Sequence, residues 1–168
     1  MDVIFYDRAE SPIGQLWAAR TSRGLCSVTH DVSQDQFLNS LRIVFQGELR
    51  RKREPFEELF TRFEAYFNGR PVSFLNLPFD LRGTDFQKAV WQSVAKIPYG
   101  SVLSYKDVAA KAGYPNAYRA AGSAVGKNRL LIVVPCHRVI KSDGSLGGFG
   151  GRPEVKRFLL KLEGLKRF

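Results

Sequence analysis

Apolar positions along the first half of the chain alternate before they become helical. Val3 to Tyr6 is rich in β-forming residues, Gln15 to Thr21 carries Leu16 and Trp17, and Leu25 to Thr29 alternates apolar with small polar side chains. Gly14 and Ser22-Arg23-Gly24 supply turns between them, which predicts a short antiparallel meander. Ser33 followed by Gln36 has the spacing of a capping box. Behind it Phe37, Leu38, Leu41, Val44 and Phe45 recur at helical spacing up to Gly47. A basic run, Arg50 to Arg53, reads as a solvated loop, and Pro55 suits a first helical position. Phe56, Leu59, Phe60, Phe63, Tyr66 and Phe67 then form an aromatic stripe that reads as core, closed by Asn68-Gly69. Residues 69–83, with Pro71, Pro78 and Gly83, carry no sustained period and read as a connection.

The second half has a helical period almost throughout. Thr84 with Gln87 fits a second capping box, and Phe86, Val90, Trp91 and Val94 share one face up to Pro98-Tyr99-Gly100. Ser104 with Asp107 suggests a third box, opening a short helix through Val108, Ala109 and Ala112 to Gly113. Asn116 is placed to cap a helix made of Ala117, Ala120, Ala121, Ala124 and Val125. Helix, glycine-containing turn and helix is the helix-turn-helix pattern. Small side chains along the second helix suit either close approach to a DNA groove or tight helix packing. Leu130 to Val134 is an apolar run of the length of a buried strand, stopped by Pro135. Residues 142–151 are too glycine-rich for a packed element, and lack the Gly-Lys-Ser/Thr ending of a phosphate loop. Pro153 opens a last helix with Val155, Phe158, Leu159 and Leu162 on one face, ended by Glu163-Gly164. The expected fold is an α/β N-terminal domain, a small antiparallel sheet with helices, over residues 1–79. Residues 80–168 form a mostly α-helical domain with a winged-helix-like helix-turn-helix.

Charge sharpens this division. Residues 1–79 hold 10 Lys+Arg and 10 Asp+Glu, whereas residues 80–168 hold 16 and 6, so the second half carries the whole net charge of +10. A basic face there attracts a polyanion, and Lys106, Lys111, Arg119, Lys127 and Arg129 surround the helix-turn-helix. No stretch approaches the ~18 apolar residues of a membrane span, and Met1-Asp2-Val3-Ile4 lacks the pattern of a secretory signal, so a cytoplasmic location is expected. The two cysteines, Cys26 and Cys136, are then expected as free thiols. Cys26 and His30 have a metal-pair spacing, but no further ligands remain outside the Cys-His string, so a zinc site is not expected and Cys26 reads as a buried strand residue.

Candidate chemistry sits at Cys136-His137. A thiol becomes a strong nucleophile as the thiolate, which a neighbouring base can generate. Adjacent residues on a regular strand or helix face apart, so the pair cooperates only if the chain turns there or a water bridges it. Pro135 makes a turn natural. By residue type alone, such a cysteine is more often a small core residue.

The string Val133-Val134-Pro135-Cys136-His137-Arg138-Val139-Ile140 resembles the active-site signature of the O6-alkylguanine-DNA alkyltransferases, single-use DNA repair proteins. Residues 83–91 and 97–100 resemble the start of that family's C-terminal domain. The resemblance implies stoichiometric, irreversible transfer of an alkyl group from guanine O6 in double-stranded DNA to Cys136. Thymine O4 lesions are left open. It implies that His137, oriented by Glu163, removes the thiol proton through a water. Tyr105 would stand beside the flipped base with Ser104, Asn128 would act as the hinge, and Arg119 as the finger that fills the vacated gap. Ala120, Ala121 and Gly122 would face DNA beside it. Pro135, Val139, Phe149 and Gly150 would line the alkyl and base pocket, with Phe149 standing where some members have tyrosine. It implies no metal, no organic cofactor, and a monomer in solution. Two other classes compete: a helix-turn-helix protein that recognises alkylated bases without chemistry, against which Cys136 itself counts, and a cysteine hydrolase, which would turn over and would gain nothing from the basic half.

Overall fold

The computed structural model describes residues 2–149 and 152–168. The chain divides into two compact units. One takes the chain up to Val72 with Asn76–Arg82 and Arg129–Leu131; the other takes Ser73–Leu75, Gly83–Asn128 and Ile132–Phe168.

In the first unit the β-rich stretches become β1 (Val3–Ala9), β2 (Leu16–Thr21) and β3 (Gly24–His30), an antiparallel meander. The sheet is mixed rather than purely antiparallel. Glu48–Arg51 forms a fourth strand, β4, parallel to β1, so the order is β3-β2-β1-β4. Two residues of the basic run thus belong to an edge strand and not to a loop. Charged side chains are well tolerated on such an edge, where they discourage pairing with other chains. Helix α1 (Gln34–Val44) begins at a complete Ser33/Gln36 capping box. Its Phe37, Leu38 and Leu41 pack with Ile4, Tyr6, Trp17, Ala19 and Cys26 from one sheet face. Trp17 stacks on Phe37 with centroids 5.5 Å apart, and its indole donates to Val32 O at 3.0 Å. Cys26 is a member of this core. Burial first, and the Asp80 charge second, push its thiol up to about 12. Pro55 sits in a 3-10 turn, Glu54–Phe56, that leads into α2 (Glu57–Phe67), whose Leu59, Phe60, Phe63 and Tyr66 are buried.

In the second unit α3 (Asp85–Ala95) starts at a complete Thr84/Gln87 box. A short strand β5 (Leu103–Ser104) leads straight into α4 (Tyr105–Lys111), and α5 (Tyr118–Gly126) completes the helix-turn-helix. The three helices pack on one another, and the Trp91 indole of α3 donates to Ala124 O of α5 at 2.8 Å. Ser104 caps α4 by accepting from Asp107 N, a single arm of the expected box. Asn116 does not cap α5; Ala117 holds that position and has no side-chain acceptor to offer.

The apolar run Leu130 to Val134 is not a strand. Leu130 makes one isolated bridge to Val28, residues 131–133 turn, and Ile132 takes φ +68°. The run is buried but bends too sharply to form a ladder. A 3-10 turn, Cys136–Arg138, precedes β6 (Val139–Ile140), which pairs in parallel with β5. The last helix, α6, spans Pro153–Leu162.

Candidate active site

The parallel pairing Leu103↔Val139 and Ser104↔Ile140 brings the start of α4 beside the end of the Cys136 turn. Pro135 is buried and ends the preceding irregular segment, and the chain turns at Cys136–Arg138 as the adjacency of thiol and imidazole requires. Cys136 is partly exposed, whereas His137 and Arg138 are buried. Asn128, two residues past the end of α5, donates its amide to Val134 O at 2.8 Å and also hydrogen-bonds the thiol. It therefore ties the helix-turn-helix to the turn that carries the sulfur. Burial pushes the Cys136 thiol up, against the Asn128 hydrogen bond and the Lys156 charge, so the resting sulfur is protonated and needs a base.

The neighbouring His137 is held by a buried charge cluster. Glu163 is the C-cap of α6, 5 % exposed, a position where the helix dipole disfavours an anion. Its carboxylate accepts from His137 Nε2, from Arg138 Nε at 2.8 Å and Nη2 at 3.2 Å, and from Gly100 N at 3.0 Å. Burial alone would raise its pKa, but the bonds to His137 and Arg138 outweigh it and hold it at about 2. An ionised carboxylate only accepts, so His137 Nε2 carries the proton and Nδ1 is left with the lone pair of a base. Burial lowers the imidazole pKa, against the pull of Glu163, and keeps the ring neutral. Arg138 also donates Nη1 to Ile97 O at 2.6 Å, fixing the cluster to the segment after α3.

Tyr105, the first residue of α4, is half-buried, and its hydroxyl donates to Gly148 O at 3.5 Å. Burial, then the Cys136 charge, raises its pKa, which keeps the phenol a proton donor. Gly147 has φ +77°, and a methyl group there would lie 2.8 Å from the Tyr105 hydroxyl. Glycine is therefore required for the loop to pass Tyr105. Lys156 of α6 is fully buried, and its ammonium donates to Val139 O at 2.5 Å and Gly148 O at 3.3 Å. It lies 5.8 Å from the centre of the Tyr105 ring. Burial lowers its pKa to about 8, partly offset by the Cys136 charge. Sulfur, imidazole, phenol and ammonium are thus assembled by three separate segments, an arrangement suited to making a thiolate and protonating a leaving group.

Residues 4–81 match the 6-O-methylguanine DNA methyltransferase, ribonuclease-like domain, and residues 85–165 match the DNA binding domain of the same family. Over 160 residues the chain is 41% identical to the methylated-DNA–protein-cysteine methyltransferase of Methanosarcina barkeri, covering 95% of this chain and 97% of that one. The chain belongs to the 6-O-methylguanine DNA methyltransferase family. The Haemophilus influenzae protein of the same name is 39% identical, covering 97% of this chain and 88% of its own. The crystal structure of Mycobacterium tuberculosis OGT in complex with DNA superposes with a TM-score of 0.81 at 37% identity, over 95% of this chain and 92% of that one.

Within this family architecture the helix-turn-helix presents Arg119 and Ala120 to solvent and leaves Gly122 half-exposed. Ala121 does not share that face; it is fully buried and packs in the core with Ala124 and Val125. Its small size serves helix packing, not DNA approach. Gly122 lies against Tyr105, since a methyl group on it would be 3.7 Å from the ring. Val139 is buried and contributes its carbonyl to Lys156. Phe149 is half-exposed in the glycine-rich loop, and Gly150 lies outside the described residues.

Two buried cations beside this site, Lys156 and Arg138, are invisible to apolar patterning. Lys156 stands one position after Val155 on a helix whose apolar stripe was expected to be Val155, Phe158, Leu159 and Leu162. The buried stripe is Val155, Lys156, Leu159 and Leu160, and Phe158 is 39 % exposed. Arg138 follows the Cys-His pair and is 5 % exposed, whereas an arginine ordinarily keeps its charge in water. The signal for Arg138 was Glu163, an acid misplaced for its helix dipole and so in need of a partner.

Proposed function

We propose that this chain repairs double-stranded DNA by taking the alkyl group from O6 of an alkylated guanine onto Cys136 Sγ, once per molecule. What carries the reading is the ionised Glu163 accepting from His137 Nε2, which leaves the imidazole a neutral base in the residue next to a protonated thiol. His137 takes the thiol proton through a water. The sulfur attacks the alkyl carbon, the carbon–oxygen bond breaks, a carbon–sulfur bond forms, and guanine leaves as an anion. Tyr105 donates its proton toward the guanine ring, and the buried ammonium of Lys156 offsets the negative charge that passes through thiolate and phenolate. The thioether has no good leaving group, and Cys26 is buried in the other unit's core, so no thiol resolves it.

A reactive atom at guanine O6 is held inside the duplex stack, so the nucleotide must swing out to meet the sulfur. Arg119 fills the vacated gap. Asn128 couples the recognition helix to the sulfur through the bond to Val134. The second unit does the binding and the transfer, and the first supports it. A free thiol of this kind is kept reduced in the cytoplasm, where the protein acts.

The test is intact and peptide mass spectrometry after incubation with a duplex carrying O6-methylguanine. The peptide holding Cys136 gains one methyl group in place of a proton, in a yield that never exceeds one per chain. Cys136→Ser binds the duplex and gains nothing. Methyl transfer by that variant, or release of methanol with turnover, would refute the proposal.

A further inference from the structure

The recognition helix does not carry small residues throughout. Along its solvent side α5 exposes Tyr118, Arg119, Ala120, Ser123 and Gly126, while Ala121, Ala124 and Val125 are buried. Beyond its first two positions nothing larger than serine is exposed. Tyr118 is 45 % exposed, so the core does not account for it. The Arg119 guanidinium carbon stands 6.0 Å from the centre of the Tyr118 ring, at the outer reach of a cation–π contact.

Tyr118 also has a defined relation to the reaction site. It precedes Gly122 by one helical turn, so the two share a face. Gly122 lies against the Tyr105 ring, which has the Lys156 ammonium 5.8 Å from its centre and feels the Cys136 charge. Helical side chains lean toward the helix N-terminus, so Tyr118, the first residue of α5, leans over the segment that enters the helix and leaves the notch at Gly122 uncovered. One face of the helix thus carries an aromatic ring, a bare glycine and then a second aromatic ring from α4.

We propose that Tyr118 is a positioning residue for nucleotide extrusion: its ring braces the Arg119 guanidinium and stacks against the nucleotide flanking the gap, while the lesion swings out over Gly122. The inference rests on the reading of Arg119 as the group that enters the duplex stack. Every base offers a π-face, so the contact is tolerant of sequence, and the ring rather than the hydroxyl supplies it.

Second-order rate constants for methyl transfer from O6-methylguanine in a duplex and from the free base test this in five proteins: unaltered, Tyr118→Ala, Tyr118→Phe, Arg119→Ala and the double variant Tyr118→Ala/Arg119→Ala. Tyr118→Ala is expected to lose roughly five- to tenfold on duplex, the size of a weak stacking contact. On the free base it should stay within about twofold, as an exposed substitution does. Tyr118→Phe should retain the duplex rate. In the Arg119→Ala background, removing the ring should cost less than it does alone, because the two side chains act together. An unchanged duplex rate for Tyr118→Ala, with Arg119→Ala impaired, overturns the role of Tyr118 and leaves that of Arg119 standing. Equal losses on both substrates for Tyr118→Ala make it a structural residue only. A Phe variant as impaired as the Ala variant transfers the role to the hydroxyl and overturns the stacking claim. Equal losses on both substrates for Arg119→Ala remove the stack-entry reading itself.

Discussion

Lys156 interrupts the apolar stripe of α6 with a fully buried ammonium, and that burial lowers its pKa to about 8. Burying an ammonium is costly, and the two carbonyls it donates to, Val139 O and Gly148 O, offset that cost only in part, as the lowered pKa shows. Its retention beside Cys136 and Tyr105 therefore argues for chemistry. Lys156→Met should keep the melting temperature within a few degrees and lower the transfer rate roughly ten- to hundredfold, the effect of one preorganised charge. The pH profile gives the sign. With the free alkylated base as substrate, the unaltered protein should be fastest while Lys156 is charged, and should slow as pH rises through about 8. Burial raises the thiol pKa, so without Lys156 the rate should instead climb with pH as more thiolate forms. Parallel profiles for the two proteins would show that Lys156 does not act on the reaction. Cys136 and His137 were legible as a pair because adjacency and proline demand a turn. Lys156 was not, because a stripe read at helical spacing assigns every long cation to solvent.

Among the elements, those fixed by local chemistry were legible and those fixed by contact with another segment were not. Ser33 and Thr84 start α1 and α3 through bonds to the backbone three residues on, and the spacing alone announces them. Strand β4 exists because β1 offers an edge, and nothing local distinguishes Glu48–Arg51 from a charged loop. The run Leu130 to Val134 has the composition of a strand but bends at Ile132, whose φ of +68° is disfavoured for a β-branched residue and is held by its surroundings. Trp91 shows how one contact joins two elements. Its indole reaches across from α3 to Ala124 O, and Gly83 leaves room beneath it, where a methyl group would be 2.7 Å from the ring. Trp91→Phe removes the donor and part of the filled volume, while Ala124 O keeps its bond from Lys127 N at 3.0 Å. The expected loss is about 2 kcal/mol, from one net hydrogen bond and a small cavity. It should appear as a lower urea midpoint with unchanged slope. A midpoint equal to that of the unaltered protein would mean that the α3–α5 contact rests on apolar packing alone.

At the scale of the whole molecule the net charge of +10 comes entirely from residues 80–168, and its placement separates cations that suit the helix dipoles from cations that oppose them. Lys111 lies in the last turn of α4 and Lys127 caps the end of α5, where the helix dipole favours a positive charge. Lys106 and Arg119 occupy the first turns of the same helices, where the dipole disfavours one, and both are exposed. Helix stability does not explain them, whereas a polyanion bound at those N-terminal turns would. Duplex affinity should therefore fall linearly in log–log terms with salt, by about 0.9 per phosphate neutralised. The measurement uses fluorescence anisotropy on Cys136→Ser, so that no transfer distorts the equilibrium. In that background Lys106→Gln should reduce the slope by about one and leave the melting temperature unchanged or slightly raised. Lys111→Gln should instead lower the melting temperature with a smaller change in slope. The reverse pattern would return Lys106 to an ordinary solvated surface and make Lys111 the phosphate contact. A salt-independent affinity would mean that the charge asymmetry between the halves plays no part in finding DNA, and that contact with the extruded base alone holds the duplex.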